Sequence, residues 1–433
     1  MEIKRDVYLD RLIVRKNNGF IKVITGIRRS GKSYLLNTLF YNHLRDNGIS
    51  ENHIIKFAFD AADDLIKIGE NPLILDNERE DRKVDPMKFV NWLMQQISDD
   101  EMYYILLDEV QKLGAFESVL NGFLRKKNMD VFVTGSNSKF LSKDIITEFE
   151  GRGDEIHILP LSFSEYYAFK GGDKSEAYDE YAVYGGLPAV ALMMTEEQKS
   201  TYLISQMQGL YLRDIINRYN LPDNTSIGEV LDVIASGISS LTNPKKIADT
   251  FVSVKQEKIS DFTVDKYIRH MEDAFMLSRV KRYDIKGRKY IGTPYKIYFE
   301  DVGLRNARLN FRQIEGTHIM ENIIYNELRY RGYQVDVGVV ESREKNAEDK
   351  LSRVQREIDF IATLGSRKYY IQSAYAIPDE AKYEQETIPF DRTLDSFKKI
   401  IVVEKSMKPR RDEKGYVTMG VKEFLLDKNS LSD

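Results

Sequence analysis

Short, uninterrupted apolar runs alternate with longer periodic stretches through the first third of the chain. Phe20-Ile21-Lys22-Val23-Ile24-Thr25 is dominated by β-branched and aromatic residues and predicts a buried strand. Leu35, Leu36, Leu39, Phe40 and Leu44 recur at helical spacing, which predicts a helix from Lys32 to Leu44, stopped by Asn47-Gly48. Ile54-Ile55-Lys56-Phe57-Ala58-Phe59 predicts a second strand, and residues 61–82 are polar and irregular, a surface excursion. Asp85-Pro86 opens a helix, Asp as N-cap and Pro in the first turn, with Phe89, Leu93 and Ile97 along one face. Tyr103 to Leu107, Val131 to Thr134 and Glu155 to Leu159 supply further buried strands, the Tyr103 strand lying beside the first. A short helix around Tyr8, Leu9 and Leu12 leans on this core. The fold class is α/β, with a parallel sheet in the first part.

The pattern then changes. Residues 165 to 220 read as helical, and Leu221-Pro222-Asp223-Asn224 marks a boundary. Three helices follow: Ile227 to Ile238, one opened by Asn243-Pro244, and one opened by Asp261 or Thr263 with Val264, Tyr267, Ile268 and Met271 inward. Arg279 to Tyr283 and Lys296 to Phe299, joined through Lys286-Gly287-Arg288-Lys289, form a hairpin. Helix, helix, helix, hairpin is a winged-helix pattern. Lys266, Arg269 and His270 outward, with Lys286, Arg288 and Lys289 at the hairpin tip, make a basic patch suited to the phosphates of DNA. A solvated face on a module that docks a protein partner is the other reading. From Leu309 on, a helix (Glu321 to Arg331) and a strand (Gln334 to Val340) precede a charged excursion, Glu341 to Arg353. Strands Glu357 to Ala362 and Tyr369 to Tyr375 follow. The expected domains are residues 1–168, 169–220, 221–305 and 306–433.

Chemistry concentrates at the exit of the first strand. Gly26-Ile27-Arg28-Arg29-Ser30-Gly31-Lys32-Ser33 is Gly, four residues, Gly-Lys-Ser, the phosphate loop. Glycines let the backbone curl so that successive N–H groups meet one anion, and the helix N-terminus adds partial positive charge. The nucleotide contacts are expected from Gly26 through Tyr34, with Lys32 on the β- and γ-phosphates of ATP and Ser33 on Mg²⁺. Asp108-Glu109 ends an apolar strand: Asp108 would hold Mg²⁺ directly or through water, and Glu109 would polarise the attacking water. Gln111 either touches that water or caps the next helix. Asn137, and after it Ser136, is expected to sense the γ-phosphate from the end of another strand. Arg152, between Gly151 and Gly153, is placed for a finger toward a neighbour's γ-phosphate, which needs a homo-oligomer. His157 sits within a strand pattern and reads as structural.

Composition narrows the classes. The chain has 433 residues and a net charge of −4, so no global positive field draws nucleic acid and any DNA contact must be local. There is no cysteine, hence no disulfide and no thiolate metal site. Met1 to Asp6 is charged and lacks the apolar core of a signal peptide, and no apolar run approaches membrane-spanning length. A cytoplasmic protein without a membrane partner is expected.

Taken together, Gly26 to Ser33, Asp108-Glu109-Val110-Gln111, Thr134-Gly135-Ser136-Asn137, Gly151-Arg152 and Pro160-Leu161-Ser162-Phe163-Ser164-Glu165 resemble the AAA+-type ATPases of bacteria and archaea. Tyr184-Gly185-Gly186-Leu187-Pro188 and Phe299-Glu300-Asp301-Val302-Gly303-Leu304-Arg305 resemble later landmarks of the same family. The resemblance implies a P-loop core around a parallel sheet, then a winged-helix region, then a restriction-endonuclease-like domain. In that last fold Glu321, Asp359 and Gln372 match the acid positions, while the lysine position is Ala374. The implied domain keeps its fold and lacks nuclease activity. The implied function is ATP binding and Mg²⁺-dependent hydrolysis coupled to movement of the attached domains. The alternative is a nucleotide-gated DNA-binding or adaptor protein.

Overall fold

In the computed structural model of the chain, β1 (Ile21–Thr25), β2 (Ile54–Ala58), β3 (Tyr103–Asp108), β4 (Met129–Thr134) and β5 (Gly153–His157) make one sheet. The structure describes residues 2–72, 83–135, 149, 151–221, 224–345 and 351–432, with the backbone alone at 210, 224–225, 255, 342–345 and 351–352. Every pairing in the sheet is parallel, in the order β2-β3-β4-β1-β5. The sequence places β3 beside β1; in the structure β4 lies between them. An apolar run specifies burial on both faces, not the identity of the neighbour.

Alternation along each strand decides which face meets which helix. Val23, Phe57, Leu107 and Val133 pack with Phe89 and Leu93 of helix Pro86–Gln96 and with Leu120 and Phe123 of helix Phe116–Phe123. On the other face Phe132 meets Phe40, their ring centroids 4.5 Å apart. Phe40 belongs to a helix in three joined stretches, Lys32–Tyr34, Leu35–Phe40 and Tyr41–Asp46, the middle one more loosely wound. Burying each such side chain contributes about 1.5–3 kcal/mol. Asp85 caps its helix as the Asp-Pro pair predicts, accepting from the Met87 N–H at 2.7 Å. Within the stretch read as irregular, Ala62–Lys67 is a helix, held by Asp64, which accepts from the Ala58 N–H at 2.7 Å. Its six residues are too few for a periodicity to register.

The chain divides into two units, residues 1–159 with 273–275, and residues 160–272 with 276–433. In the second, helices Asn224–Ser236, Pro244–Lys255 and Asp261–Asp273 precede the hairpin of β6 (Leu277–Asp284) and β7 (Lys289–Phe299). β8 (Gln334–Lys345), β9 (Leu351–Leu364), β10 (Arg367–Ala374), β11 (Lys398–Val403), β12 (Arg410–Arg411) and β13 (Val417–Gly420) follow. All eight strands form one sheet, ordered β12-β13-β11-β10-β9-β8-β6-β7. β6 runs parallel to β8 from Arg282↔Val337 to Asp284↔Val339. The hairpin is therefore the margin of a large sheet, not a free wing. An unpaired β6 edge would leave main-chain groups exposed, and β8 satisfies them. The charged stretch 341–353, read as an excursion, is strand on both sides of residues 346–350, which lie outside the described residues. Arg353 Nε and Gln355 Nε2 each donate to Glu341 at 2.8 Å across the ladder. Cross-strand ion pairs support an exposed ladder whose composition resembles that of a loop.

Three short motifs lock together in this unit. Asp301 is buried at 3% exposure; its carboxylate accepts from the Gly186 N–H at 2.8 Å and, as N-cap of helix Val302–Arg308, from the Leu304 N–H at 3.0 Å. A Cβ on Gly185, whose φ is +73°, would lie 2.3 Å from Asp301 Oδ1. A Cβ on Gly303 would lie 2.0 Å from the Tyr184 carbonyl oxygen, and one on Gly186 2.2 Å from that of Leu161. The Leu161 N–H closes the knot by donating to the Gly186 carbonyl at 2.7 Å. Ser162 and Glu165 form a reciprocal cap on helix Phe163–Lys170. These motifs thus fix backbone approach. Asp301→Ala should destabilise the second unit by about 3 kcal/mol, the loss of a cap plus a buried N–H left unpaired. Urea midpoints at unchanged slope check this; a loss under about 1 kcal/mol would remove Asp301 from that role.

Candidate functional site

β1 ends at Thr25 and the chain turns at Gly26, whose φ is +139° and whose Cβ, if present, would lie 2.2 Å from the Ile158 carbonyl oxygen. Arg29 (φ 63°) and Gly31 (φ 96°) also take left-handed backbone, and the helix starts at Lys32. The segment Gly26, Ile27, Arg28, Arg29, Ser30, Gly31 therefore arches over a helix N-terminus, where unpaired N–H groups favour an anion. Lys32 folds back into the arch. Its Nζ donates to the carbonyl oxygens of Gly26 and Ile27, each at 3.0 Å, and the residue is only 5% exposed. Burial pushes its amine down to about 8; Glu109 and Asp108 pull the other way, and Arg28 adds to the fall. The Ser30 hydroxyl is buried without a hydrogen-bond partner. A buried amine short of negative charge and an unpartnered hydroxyl in one arch fit a phosphate group. Tyr34, one turn into the helix, instead donates its hydroxyl to Glu2 at 3.1 Å.

The two acids stand at the end of β3. Asp108 accepts from the Ser33 hydroxyl, from the Thr134 hydroxyl and from Asn37 Nδ2, the last at 3.3 Å. Burial pushes its carboxyl up, and the Thr134 and Ser33 hydroxyls offset part of that rise. Glu109 takes left-handed backbone (φ 52°), its N–H donates to Thr134 Oγ1 at 3.1 Å, and the Gln111 amide donates to its carboxylate. Burial, with the charges of Glu109 and Asp108, also pushes the Asp60 carboxyl up. Ser33 and Asp108 thus present adjacent hard oxygens, and a buried carboxylate gains from a cation, so these residues fit Mg²⁺. Among the described residues no group of three His, Cys, Asp or Glu could hold a metal by itself. An ion here would complete its shell with phosphate and water oxygens.

Thr134, which joins the two acids, was not singled out by the sequence. Its signal is the strand order: with β4 between β1 and β3, the last residue of β4 faces both the loop and the acids. Asn137 and Ser136 lie outside the described residues. Arg152 is exposed, and the Ile21 N–H donates to its carbonyl at 2.9 Å. Because β5 runs parallel to β1, Arg152 lies at the opposite end of the sheet from the phosphate loop, roughly a strand length of ~17 Å away. It cannot serve the loop of its own chain. His157 Nδ1 meets Thr25 Oγ1 at 3.0 Å, a structural contact as the sequence suggests.

In the second unit the sequence-predicted positions separate. Lys266, Arg269, Lys286, Arg288 and Lys289 are exposed, but His270 is buried and stacks on Tyr219, ring centroids 3.5 Å apart. It lies one turn from Tyr267, so the apolar stripe of the helix widens to include it. Arg269 is paired with Asp265, which also takes Arg279 at 2.6 Å, so part of the basic patch is neutralised. Glu321 and Asp359 do converge. Gln372 does not join them: its Nε2 donates to Glu386 at 3.0 Å, and Ala374 packs in a core with Ile358 and Phe390. Register shifts in the β8–β9 ladder next to these residues, which changes the side each residue faces. Lys296 and Glu357, which the sequence pattern did not mark, complete that cluster instead. Burial and the neighbouring Asp359 push Glu321 up to about 7, against the pull of Lys296.

Among the described residues no helix is long and apolar enough to cross a membrane. Residues 18–167 match the model of an AAA domain, and residues 175–315 match a domain of unknown function (DUF8612). An uncharacterized protein of Haemophilus influenzae is 33% identical over 410 residues, spanning 93% of this chain and 94% of that protein. An uncharacterized protein of Methanocaldococcus jannaschii is 26% identical, spanning 92% of this chain and 82% of that one. Among solved structures, the Aeropyrum pernix ORC1 protein in complex with DNA is 11% identical at a TM-score of 0.29, covering 71% of this chain and 92% of that one. A TM-score that low leaves the assignment resting on the sequence relatives and the domain match. With the loop, the two acids and the parallel sheet in place, the chain belongs to the same family as the Haemophilus influenzae protein, a family of P-loop proteins built on an AAA domain.

Proposed function

We propose that the first unit binds ATP and hydrolyses it with Mg²⁺, and that this cycle moves the attached second unit. The observation that carries the reading is Lys32, a buried amine held on two carbonyl oxygens at 3.0 Å beside the Asp108–Glu109 pair. On binding, the amine exchanges these neutral partners for the β- and γ-phosphates, and the loop N–H groups take the remaining oxygens. Ser33 and Asp108 would hold Mg²⁺, which supplies charge neutralisation on the phosphates when bound. Thr134 keeps Asp108 and the Glu109 backbone in register, and Glu109 accepts a proton from the attacking water. Gln111, bonded to Glu109, orients that carboxylate.

Arg152 would complete the site of a neighbouring copy, a role supported by its position at the far end of β5 and its exposure. The exposed Lys266, Arg269, Arg288 and Lys289 would contact a DNA backbone. A nucleotide-gated DNA-binding or adaptor protein is the second reading, supported by that same exposed cluster.

Lys32→Ala should weaken ATP binding by at least about 100-fold in calorimetry, because a buried charge on the phosphates is removed. Glu109→Gln should retain that affinity and slow turnover by about 10²–10⁴-fold. Full ATP affinity in Lys32→Ala would reject the site, and unimpaired turnover in Glu109→Gln would reject the base. If Arg152 acts in trans, activity per subunit should rise with protein concentration, and Lys32→Ala subunits should restore Arg152→Ala ones. A finger of this kind contributes roughly 10³-fold or more. Concentration-independent turnover by a monomer would exclude it. Charge reversal at Lys266, Arg269, Arg288 and Lys289 should weaken binding to all DNA sequences alike and reduce the salt slope by about 1 for each phosphate no longer neutralised. An unchanged slope would favour a protein partner.

A further inference from the structure

Away from the phosphate loop, one lysine in the second unit sits where three carboxylates meet. Lys296, on β7 and 3% exposed, places its Nζ 2.8 Å from Glu321, 2.7 Å from Glu357 and 3.0 Å from Asp359. An ammonium has three N–H donors, and each is matched to one carboxylate. Glu321 comes from helix Gly316–Tyr330 and the other two acids from β9, so three elements converge on a single cation. Tyr298, two residues along β7, donates to Glu321 at 2.6 Å, and the Ser373 N–H donates to Asp359 Oδ2 at 2.9 Å. These bonds fix the carboxylates independently of the lysine.

The acids outnumber the resident charge, and two further oxygens are unspent. Glu357 Oε2 is buried without a partner. So is the Ser373 hydroxyl, on a residue only 8% exposed. Tyr370 and Ala374 of β10 face the core that includes Phe390, so by strand alternation Ser373 faces the opposite way, toward the acids. The unit therefore offers more oxygen donors than one ammonium can use, fixed around one point. Hard divalent ions such as Mg²⁺ and Mn²⁺ take about six oxygens, carboxylates first.

We propose that Glu321, Glu357 and Asp359, with the Ser373 hydroxyl, are a divalent-cation site that Lys296 keeps closed by acting as its cation. The amine is tethered, so its effective concentration at the acids exceeds that of any free ion, and a second cation at the same oxygens would be repelled. Three carboxylates around one buried ammonium also explain why Lys296 tolerates burial: its neighbours hold it well above its ordinary range although burial alone would lower it.

The test is Mn²⁺ titration of the full chain without nucleotide, followed by electron paramagnetic resonance of free ion and by thermal unfolding. Lys296→Met should bind one Mn²⁺ at least about 100-fold more tightly than the wild type. Its unfolding temperature should rise with Mn²⁺ while that of the wild type does not. Adding Asp359→Asn to Lys296→Met should abolish the gain. Lys296→Met that folds only when Mn²⁺ is supplied supports the proposal equally. Three outcomes overturn it: wild-type Mn²⁺ binding of the same strength that is lost in Asp359→Asn, a folded Lys296→Met with no Mn²⁺ site, or a Lys296→Met that stays unfolded with Mn²⁺ present. A gain that survives Asp359→Asn would also reject it, as the ion would then be held elsewhere.

Discussion

Lys32 and Lys296 are both almost wholly out of water, and their surroundings push them in opposite directions. A buried ammonium costs several kcal/mol unless paired, so each cation must either be neutralised nearby or stay poised for something that neutralises it. At Lys32 the hydrogen-bond partners are two carbonyl oxygens, and the amine is destabilised in its charged form. At Lys296 three carboxylates overwhelm the cost of burial. The first arrangement is open to an anion and the second is closed on itself. Much of the local architecture follows from this difference: the left-handed turns that lift the loop over Lys32, and the meeting of two strands and a helix around Lys296.

The parallel sheet was legible because strands buried on both faces are written as continuous apolar runs, and because the glycines at 26 and 31 have no other residue type to replace them at those backbone angles. The phosphate loop and the two acids were legible for the same reason: they are local, and their roles follow from sequence neighbours. Strand order was not. Nothing in Tyr103 to Leu107 says that Val131 to Thr134 lies on its inner side, so the shared role of Thr134 stayed hidden until the register was known.

The second unit was harder to read for the same physical reason, at longer range. Its helices followed their apolar periodicity, but the β6–β8 pairing joins residues some 55 positions apart, and a hairpin that pairs outward looks the same in sequence as one that does not. Glu321 and Asp359 could be matched by spacing. Lys296 could not, because it enters the cluster from a strand that precedes both acids. The register shift near Asp359 then moved Gln372 to the opposite side. The Gly185-Gly186 and Asp301 motifs were visible as motifs, and only the structure assigns them to backbone approach and not to ligand contact.

The parallel seam between β6 and β8 bears on how this protein can be divided by experiment or by evolution. A module ending after the hairpin would carry Lys296 away from all three of its acids and strip β6 of the strand that covers it. The matched segment 175–315 ends before any of those partners begins. As an excised piece it would present a bare strand edge and an uncompensated buried cation, an aggregating fragment in place of an independent domain. What recombination can transfer intact is the whole sheet, and the stretch from the three helices to the last strand should be inherited as one block.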